Sequence, residues 1–231
     1  MRMIKSFLAV LLCSTITVAQ ADTIAIIGTG NVGSALGPEF AAQGHTIVYG
    51  SRNPNDRDVA ELVERTGNGA SATTQADAVA AADIVVLAVP GTLVAEITAK
   101  LGDLSRKLII DPTNPIKLDL LRMRHVAATS NVDVIQSIAP AADVVKAFNT
   151  LGWKVMIDPD IAGGPVSVPL AGDSGRAKRK VADLVRGMGL EPIDVGDSDN
   201  ARWLEGMAIL LINNNILTPR PNFNFYLREM D

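Results

Sequence analysis

A glycine-rich segment of six residues contains the clearest chemical pattern in this sequence. It matches G-x-G-x-x-G and consists of Gly28-Thr29-Gly30-Asn31-Val32-Gly33. An apolar run precedes it and a helical stretch follows it, which is the context in which the pattern binds a dinucleotide. The first glycine permits a tight turn, the second lets a pyrophosphate approach the backbone, and the third lets helix and strand pack closely. N–H groups at the helix N-terminus then favour the phosphates.

A second group of polar residues follows the next strand and bears on the choice of dinucleotide. Sites for NAD usually place Asp or Glu at the end of this strand, where it accepts a hydrogen bond from the ribose 2′-hydroxyl. Here the strand ends without a carboxylate, in the segment Tyr49-Gly50-Ser51-Arg52-Asn53. Ser51 can donate to a 2′-phosphate, and Arg52 supplies positive charge and a planar fork. The segment therefore predicts NADP rather than NAD.

Three later loops also follow apolar runs, at residues 88–91, 111–115 and 147–150. Because parallel sheets bind ligands at the carboxyl ends of their strands, we expect these loops to line the nicotinamide end of the cleft. Pro90 and Pro115 would stiffen the loops rather than react. The polar side chains that we expect to contact the ligand there are Asn114, Asn149 and Thr150.

Side chains for acid–base, nucleophilic or metal chemistry are scarce. One cysteine and two histidines cannot build a tetrahedral Cys/His zinc site, and no nucleophile or metal motif is present. His45 is expected in the turn before the second strand, at the edge opposite the cleft. His125 is expected in a surface segment near Arg122 and Arg124. We therefore predict no catalytic side chain and no metal, and we expect a bound organic cofactor to carry the chemistry.

Size and charge exclude further classes of protein. The 231 residues fit one compact domain, or one domain with a small lobe. A formal net charge of −4 gives no electrostatic reason to expect nucleic acid or an anionic membrane as a partner. A single cysteine cannot form a disulfide framework within the chain.

Alternating strands and helices must position these residues. The expected strands are short continuous apolar runs, at 23–27, 46–49, near 70, 83–89, 108–110 and 143–148. Helices are expected between them, at 32–43, 56–66, from 74, 93–101 and 131–138. Continuous apolar strands predict a parallel sheet covered on both faces by helices, an α/β fold of the Rossmann type. Pro38 should kink the first helix.

The pattern changes after about residue 150. Strands are expected at 166–171 and 190–195, and a basic amphipathic helix at 174–187. A long apolar helix is expected at 202–217, before a tail that contains Phe223, Phe225 and Tyr226. We predict a small C-terminal α/β lobe over 150–231, next to a Rossmann domain over 22–149.

The first 21 residues have the composition of an export signal. Arg2 and Lys5 precede an apolar stretch at 7–18, and Ala19-Gln20-Ala21 fits the small-x-small cleavage pattern. We therefore expect a signal peptide over 1–21 and a periplasmic protein, or a cytoplasmic one if the signal is not used. No membrane span is expected after residue 21.

Six segments together resemble a known family: IAIIGTGNVGSAL, VYGSRNP, VVLAVP, IIDPTNP, VVKAFNT and ARWLE. They are similar to the deazaflavin (coenzyme F420)-dependent NADP oxidoreductases and to the NADPH-binding domain of the six-transmembrane epithelial antigen metalloreductases. The resemblance implies a Rossmann domain with a small C-terminal lobe, often dimeric. It implies Thr29, Asn31 and Val32 at the pyrophosphate, and Ser51, Arg52 and Asn53 at the 2′-phosphate. It also implies that Val89, Pro90 and Ala147 lie near the nicotinamide.

Together these observations favour an NADP-binding oxidoreductase that transfers hydride between NADPH and a flavin-like or deazaflavin-like acceptor. Two alternatives stay open. One is an exported NADP-binding module without catalysis, and the other is an NADP-dependent hydroxyacid or imine dehydrogenase. The expected partners are a small-molecule or flavin-like electron acceptor and a second copy of the chain, bound through the helix at 202–217. No nucleic acid is expected.

Overall fold

A computed structural model describes residues 21–119, 122–215 and 222–230 of the chain. Nearly all of the predicted signal peptide, residues 1–20, lies outside the described residues, as does the end of the predicted helix, 216–217. Within the described ranges, no helix has both the length and the apolar character needed to cross a membrane.

Ten strands and eight helices are described. The strands are β1 (Thr23–Ile27), β2 (Thr46–Gly50), β3 (Ser71–Thr73), β4 (Ile84–Val86), β5 (Leu108–Asp111), β6 (Ile116–Asp119), β7 (Arg122–His125), β8 (Asp143–Lys146), β9 (Ser167–Leu170) and β10 (Glu191–Asp194). The helices are α1 (Asn31–Ala42), α2 (Arg57–Thr66), α3 (Gln75–Ala81), α4 (Val94–Thr98), α5 (Asn131–Ile138), α6 (Trp153–Ile157), α7 (Gly175–Gly187) and α8 (Ala201–Asn215).

The central sheet has six strands in the order β3-β2-β1-β4-β5-β8, and every pair in it is parallel. The strand order reverses between β1 and β4, which opens a crevice outside the carboxyl ends of those strands. β4 and β8 are shorter than the runs predicted at 83–89 and 143–148, because the chain leaves the sheet there to form the loops of the crevice. The predicted Rossmann-type fold is confirmed.

Each face of the sheet has its own core. Successive side chains of a strand point to opposite faces, so Ile24 and Ile26 join one cluster while Ala25 and Ile27 join the other. All four are fully buried. The continuous apolar runs of the sequence are therefore explained by helices packed on both faces.

The part of the chain after residue 150 shares one of these cores. Val168 of β9 and Val181 of α7 belong to the same buried cluster as Ile24 and Ile26. β9 and β10 form a parallel pair, and β9 continues to Ala171, which bridges antiparallel to Lys146 of β8. The C-terminal elements therefore form a separate small sheet that is joined to the edge of the main sheet by this bridge and by the shared core.

A hairpin that the sequence did not predict connects β5 to α5. β6 and β7 pair antiparallel, from Ile116 opposite His125 to Asp119 opposite Arg122. Most of its residues are charged and exposed, so the segment carries no apolar run of the kind that marks a buried strand. Its end nevertheless becomes important, because His125 lies there.

Pro38 lies inside α1, and the helix runs through it from Asn31 to Ala42. Proline has no N–H to donate to the carbonyl four residues earlier, which here is that of Ser34. The guanidinium of Arg65, in α2, donates to this carbonyl at 3.2 Å. A side chain from the neighbouring helix thus replaces the missing intrahelical hydrogen bond.

Candidate functional site

The glycine loop between β1 and α1 adopts a conformation that only glycine fits at two of its three glycine positions. Gly28 has a φ of +108°, and a Cβ there would lie 2.3 Å from the carbonyl oxygen of Ala88. A Cβ on Gly33 would lie 2.0 Å from the carbonyl oxygen of Gly28. A Cβ on Gly30 would meet no atom within 4 Å. The first and third glycines therefore serve internal packing, whereas the second faces open space.

The N-terminus of α1 has N–H groups available for an anion. Gly30 is the N-cap and has no side chain to accept from the first turn. The earliest N–H groups of a helix lack partners within the helix, and together with its dipole they attract negative charge. Asn31, Val32 and Gly33 form this first turn. The loop thus fits a pyrophosphate.

A cleft of about 760 Å³ lies over this loop at the carboxyl edge of the sheet. Of the predicted site residues, those that line it are Gly28, Thr29, Gly30, Ser51, Arg52, Asn53, Val89 and Pro90. The remaining wall includes apolar Leu93 and Ile97 beside α4, and charged Asp56, Asp58, Glu96 and Lys100. Polar groups thus gather at the β2 end, whereas the wall after β4 combines apolar side chains with the charged residues Glu96 and Lys100.

The loop after β2 presents the guanidinium of Arg52 to the cleft. The Ser51 N–H donates to the Thr73 carbonyl at 2.9 Å, and the Ser51 hydroxyl accepts from the Asn53 N–H at 3.1 Å. Within the described part of the chain, no group forms a hydrogen bond or an ion pair with the Arg52 side chain. An exposed guanidinium in the cleft, beside a fixed hydroxyl, fits a 2′-phosphate.

Two charged residues, Glu96 in α4 and Lys100 just after it, form their own pair at the same cleft. The Lys100 ammonium lies 2.6 Å from a carboxylate oxygen of Glu96, one helical turn earlier. The hydrogen bond and the charge of Lys100 lower the pKa of Glu96 below its usual range. This pair therefore contributes little net charge to the cleft.

The remaining predicted contacts lie deeper than the cleft wall. Asn114 and Asn149 bond to each other: the Asn114 amide donates to the Asn149 carbonyl at 3.1 Å, and the Asn149 amide donates to the Asn114 side-chain oxygen at 3.0 Å. Ala147 is fully buried. A Cβ on Gly91 would lie 2.0 Å from the Asn114 carbonyl, so all three loops touch. The structure thus brings the three predicted loops together.

Two buried polar atoms in the last of these loops have no partner among the described residues. They are the side-chain oxygens Oδ1 of Asn149 and Oγ1 of Thr150. Both residues are at least nine-tenths buried. Buried polar atoms are nearly always hydrogen-bonded in folded proteins, so these two oxygens can still accept from a molecule that displaces the atoms covering them.

Behind the loops lies a group of charged residues that sequence reasoning missed. We call Asp111, Lys146, Glu205 and His125 the Lys146 cluster. The Lys146 ammonium is 2.7 Å from Asp111 Oδ2 and 2.7 Å from Glu205 Oε1, and all three side chains are 0% exposed. Lys146 and Glu205 interrupt apolar runs of the sequence, which was the only local sign that they are buried.

His125 forms the outer end of this cluster, which corrects the predicted surface position. The hairpin itself lies at the surface, but the ring is only 16% exposed, and its Nε2 lies 2.7 Å from Glu205 Oε2. Its Nδ1 lies 2.9 Å from the Ala127 carbonyl oxygen. The ring turns inward because the buried carboxylate of Glu205, from α8, needs a partner.

His45 occupies the opposite edge of the sheet, where it was predicted. Its Nδ1 accepts from the Asp22 N–H at 3.1 Å, beside the N-terminal ends of β1 and β2. Burial lowers the pKa of His45, although the nearby Asp22 carboxylate opposes that shift. Among the described residues, no group of three His, Cys, Asp or Glu side chains could hold a metal ion.

Comparison with known proteins identifies the family. Residues 23–115 match the family described as NADP oxidoreductase, coenzyme F420-dependent. The F420-dependent NADP reductase of Methanothermobacter thermautotrophicus is 30% identical over an alignment of 213 residues, and the match covers 84% of this chain and 89% of that protein. The chain belongs to the F420-dependent NADP oxidoreductase family. It is thus a member of an NADP-dependent oxidoreductase family.

Some relatives of this family member are much longer than the chain, whereas others have a similar length. The metalloreductase STEAP3 of Rattus norvegicus is 30% identical over 194 residues, 84% of this chain, but the chain spans only 38% of that protein's length. A solved structure from Arthrobacter sp. FB24, provisionally named an F420-dependent NADP-reductase, superposes with a TM-score of 0.79 at 30% identity. It covers 90% of this chain, and all of its own chain is matched.

Proposed function

We propose that the chain binds NADP(H) in the cleft over the glycine loop and transfers hydride between the nicotinamide and a flavin-like or deazaflavin-like acceptor. The observation that carries the proposal is one cleft that combines open space over Gly30, free N–H groups at the start of α1 and the guanidinium of Arg52, which has no partner among the described residues. Two anion sites that line one cleft, at the glycine loop and at Arg52, suit a dinucleotide that bears both a pyrophosphate and a 2′-phosphate.

In this proposal the chain's residues bind and orient rather than exchange protons. Bound NADPH supplies a hydride at the carbon opposite the nitrogen of its nicotinamide ring. Val89 and Pro90 form an apolar wall that excludes water from the nicotinamide, and the Asn114–Asn149 pair holds the neighbouring loops in place. The hydride would pass from the nicotinamide to the acceptor, and the accompanying proton would come from solvent. The reaction therefore depends on contact between the two ring faces more than on an acidic side chain.

The experiment is a pair of measurements on purified residues 22–231. Titration should give clearly tighter binding of NADPH than of NADH. NADPH oxidation is then followed with a flavin, a deazaflavin, a ferric chelate and small carbonyl or imine compounds as acceptors. We expect turnover with the flavin or the deazaflavin. Turnover with carbonyl or imine compounds alone would instead support a hydroxyacid or imine dehydrogenase.

The same assay tests whether the chain is a binding module without catalysis. Tight NADPH binding without oxidation by any of these acceptors would favour that alternative. No binding of either dinucleotide would overturn the proposal as a whole. A flavin titration in the presence of NADP then distinguishes an absent acceptor site from an absent reaction.

We also propose export to the periplasm through residues 1–21, because the sequence there has a basic start, an apolar stretch and a small-x-small end. Fusion of these residues to an enzyme that is active only after export tests this location. An inactive fusion, with an active one behind a known signal, would place the protein in the cytoplasm.

We propose a second copy of the chain as the partner of α8. Trp203 and Leu210 are 69% and 61% exposed, and Met207 lies between them on the same helical stripe. Another face of the helix, with Leu204 and Ala208, is buried, and Leu204 belongs to the core cluster that contains Ala25 and Ile27. Light scattering should show a dimer that Leu210→Arg dissociates, and a monomeric wild-type protein would overturn this partner.

A further inference from the structure

The Lys146 cluster joins elements that are far apart in the chain. The Lys146 ammonium has three hydrogens, and it donates to Asp111 Oδ2 at 2.7 Å and to the Thr113 carbonyl at 2.8 Å. Its third contact is Glu205 Oε1, at 2.7 Å. Every donor of the ammonium is therefore satisfied, by the loop after β5 on one side and by α8 on the other.

The carboxylate of Glu205 extends this connection to two further elements. Its Oε1 accepts from the Asn131 N–H at 2.8 Å, at the first residue of α5. Its Oε2 contacts the His125 ring at the end of β7. Glu205 thus fixes α8 against the start of α5 and against the hairpin.

On its inner side the cluster reaches the wall of the cleft. Asp111 Oδ1 accepts from the N–H and the hydroxyl of Thr113, at 2.9 and 2.6 Å. The Asn131 amide donates to the Thr113 hydroxyl oxygen at 2.6 Å and to the Gly91 carbonyl at 2.9 Å. Gly91 follows Pro90, which lines the cleft.

A buried ion pair is weak evidence for stability, because an apolar replacement of the whole group is often as stable. What a satisfied polar network does provide is one fixed geometry for the segments that it joins. Here these segments are the loops after β4, β5 and β8, which meet at the Asn114–Asn149 pair. The last loop also carries two buried oxygens, Asn149 Oδ1 and Thr150 Oγ1, for which the described part of the chain offers no partner.

We infer that Lys146 is a positioning residue for the electron acceptor: it holds the loops after β5 and β8 so that Asn149 and Thr150, which lie behind the cleft wall, can accept from the acceptor's polar edge once the acceptor displaces the atoms that cover them. Both oxygens can accept a hydrogen bond, so they suit a planar acceptor that carries a ring N–H. The inference rests on the proposed function, since it takes the acceptor to meet these loops. Lys146 itself touches neither cofactor nor acceptor.

The test compares Lys146→Met with wild type and with Lys178→Met. Lys178 is a matched control, because it is a mostly buried lysine paired with Asp194 and it lies away from the cleft, in α7. NADPH affinity, acceptor KM and kcat are measured per NADPH-binding site, so that unfolded protein does not count. For Lys146→Met we expect the acceptor KM to rise about tenfold, which corresponds to ~1.4 kcal/mol, with NADPH affinity unchanged.

A purely structural role gives a different result. It would lower the melting temperature while leaving acceptor KM and kcat per binding site at wild-type values, and that outcome would overturn the inference. If Lys146→Met does not fold, Glu205→Gln replaces it, because this change leaves Lys146 and Asp111 as a balanced pair. We expect Glu205→Gln to raise the acceptor KM in the same direction, and an unchanged KM in this variant would also overturn the inference.

Failure of the proposed function can be told apart from failure of this inference. If the wild type oxidises NADPH with no flavin or deazaflavin, the proposed function fails, and amide hydrogen exchange becomes the readout. Exchange in residues 112–115 and 147–150 should then be about tenfold faster in Lys146→Met, equivalent to ~1.4 kcal/mol of local opening. Exchange in β1 and α1 should be unchanged. Unchanged exchange in the two loops would reject the positioning role.

Discussion

The two ends of the sheet's carboxyl edge are built in opposite ways. At the β1–β2 end the cleft is lined by backbone, small residues and an exposed guanidinium that has no partner in the described ranges of the chain. At the β5–β8 end, three fully buried charged side chains satisfy one another behind the loops. The first end keeps its hydrogen-bonding groups free for a ligand, whereas the second uses nearly all of them internally.

This difference separates binding from positioning. A group that waits for a phosphate must stay solvated and unpaired, so its loss should change affinity and leave the fold intact. A buried charged group must be paired, so its loss should destabilise the fold. Substitutions at the two ends should therefore affect different measurements, and the predictions below test that separation.

The largest effect on stability is expected for Lys146→Met. Asp111 and Glu205 would then face each other in the core without their shared cation. Removal of one partner from a buried pair costs about 3–5 kcal/mol of unfolding free energy. Urea unfolding of Lys146→Met should show this loss, while Lys178→Met, whose partner Asp194 is half exposed, should lose about 1 kcal/mol or less. Equal losses in the two variants would contradict the contrast between the ends.

The next largest effect is a loss of NADPH affinity, which is expected for Gly30→Ala at the β1–β2 end (the open end). The new methyl group meets no protein atom, so the unfolding free energy should stay within about 0.5 kcal/mol. It would occupy the space proposed for the pyrophosphate and weaken the charge-assisted hydrogen bonds there, each of which contributes about 1.5–3 kcal/mol. Isothermal titration should show NADPH binding weakened by roughly 10- to 100-fold.

Gly152→Ala is the matched control for that prediction. Gly152 is also an N-cap glycine in extended conformation with open space around its Cβ position, but it caps α6. Its substitution should leave NADPH affinity unchanged. Weaker binding in both variants, or in neither, would show that the space over Gly30 is not the pyrophosphate site.

A smaller effect on binding is expected for Arg52→Ala. Because Arg52 is exposed, its contact with a 2′-phosphate should contribute about 1.5 kcal/mol, the lower end for a charged hydrogen bond. NADPH should bind about tenfold more weakly, and NADH affinity should not change. Arg57→Ala is the control, because Arg57 is exposed nearby but paired with Glu61 and does not line the cleft. Equal weakening of both dinucleotides would reject Arg52 as the 2′-phosphate contact.

The sequence could predict the open end because its pattern is local. The glycines at 28, 30 and 33 and the residues at 51–53 each lie within a few positions of a strand end, so the order of strands and helices was enough to bring them together. The Rossmann-type sheet followed from the same apolar runs. Both depend on short-range spacing and on the rule that parallel strands bind ligands at their carboxyl ends.

The Lys146 cluster could not be predicted, because its four members come from widely separated parts of the chain. Asp111 and Lys146 meet only after β5 and β8 have paired, and Glu205 joins them from a helix that follows the whole sheet. His125 is carried by a hairpin whose charged, exposed strands lack an apolar pattern. A charged residue within an apolar run indicates that something must pair with it, but spacing alone does not identify the partner.

The smallest effect is a change in the pH dependence of stability, and it concerns His45 at the opposite edge of the sheet, beside the N-terminal ends of β1 and β2. Burial holds the pKa of His45 below its ordinary value of about 6.5, so the unfolded chain takes up a proton at a pH where the folded chain does not. The stability that depends on neutral His45 is therefore complete above that ordinary value and is lost as the pH falls from it through the lowered pKa of the folded chain. In His45→Asn the side-chain oxygen can still accept from the Asp22 N–H, but it does not titrate. Between neutral and mildly acidic pH, wild type should lose more unfolding free energy than His45→Asn. If the unfolding free energy of the wild type instead rises relative to that of the variant as the pH falls, His45 is protonated and paired with the Asp22 carboxylate.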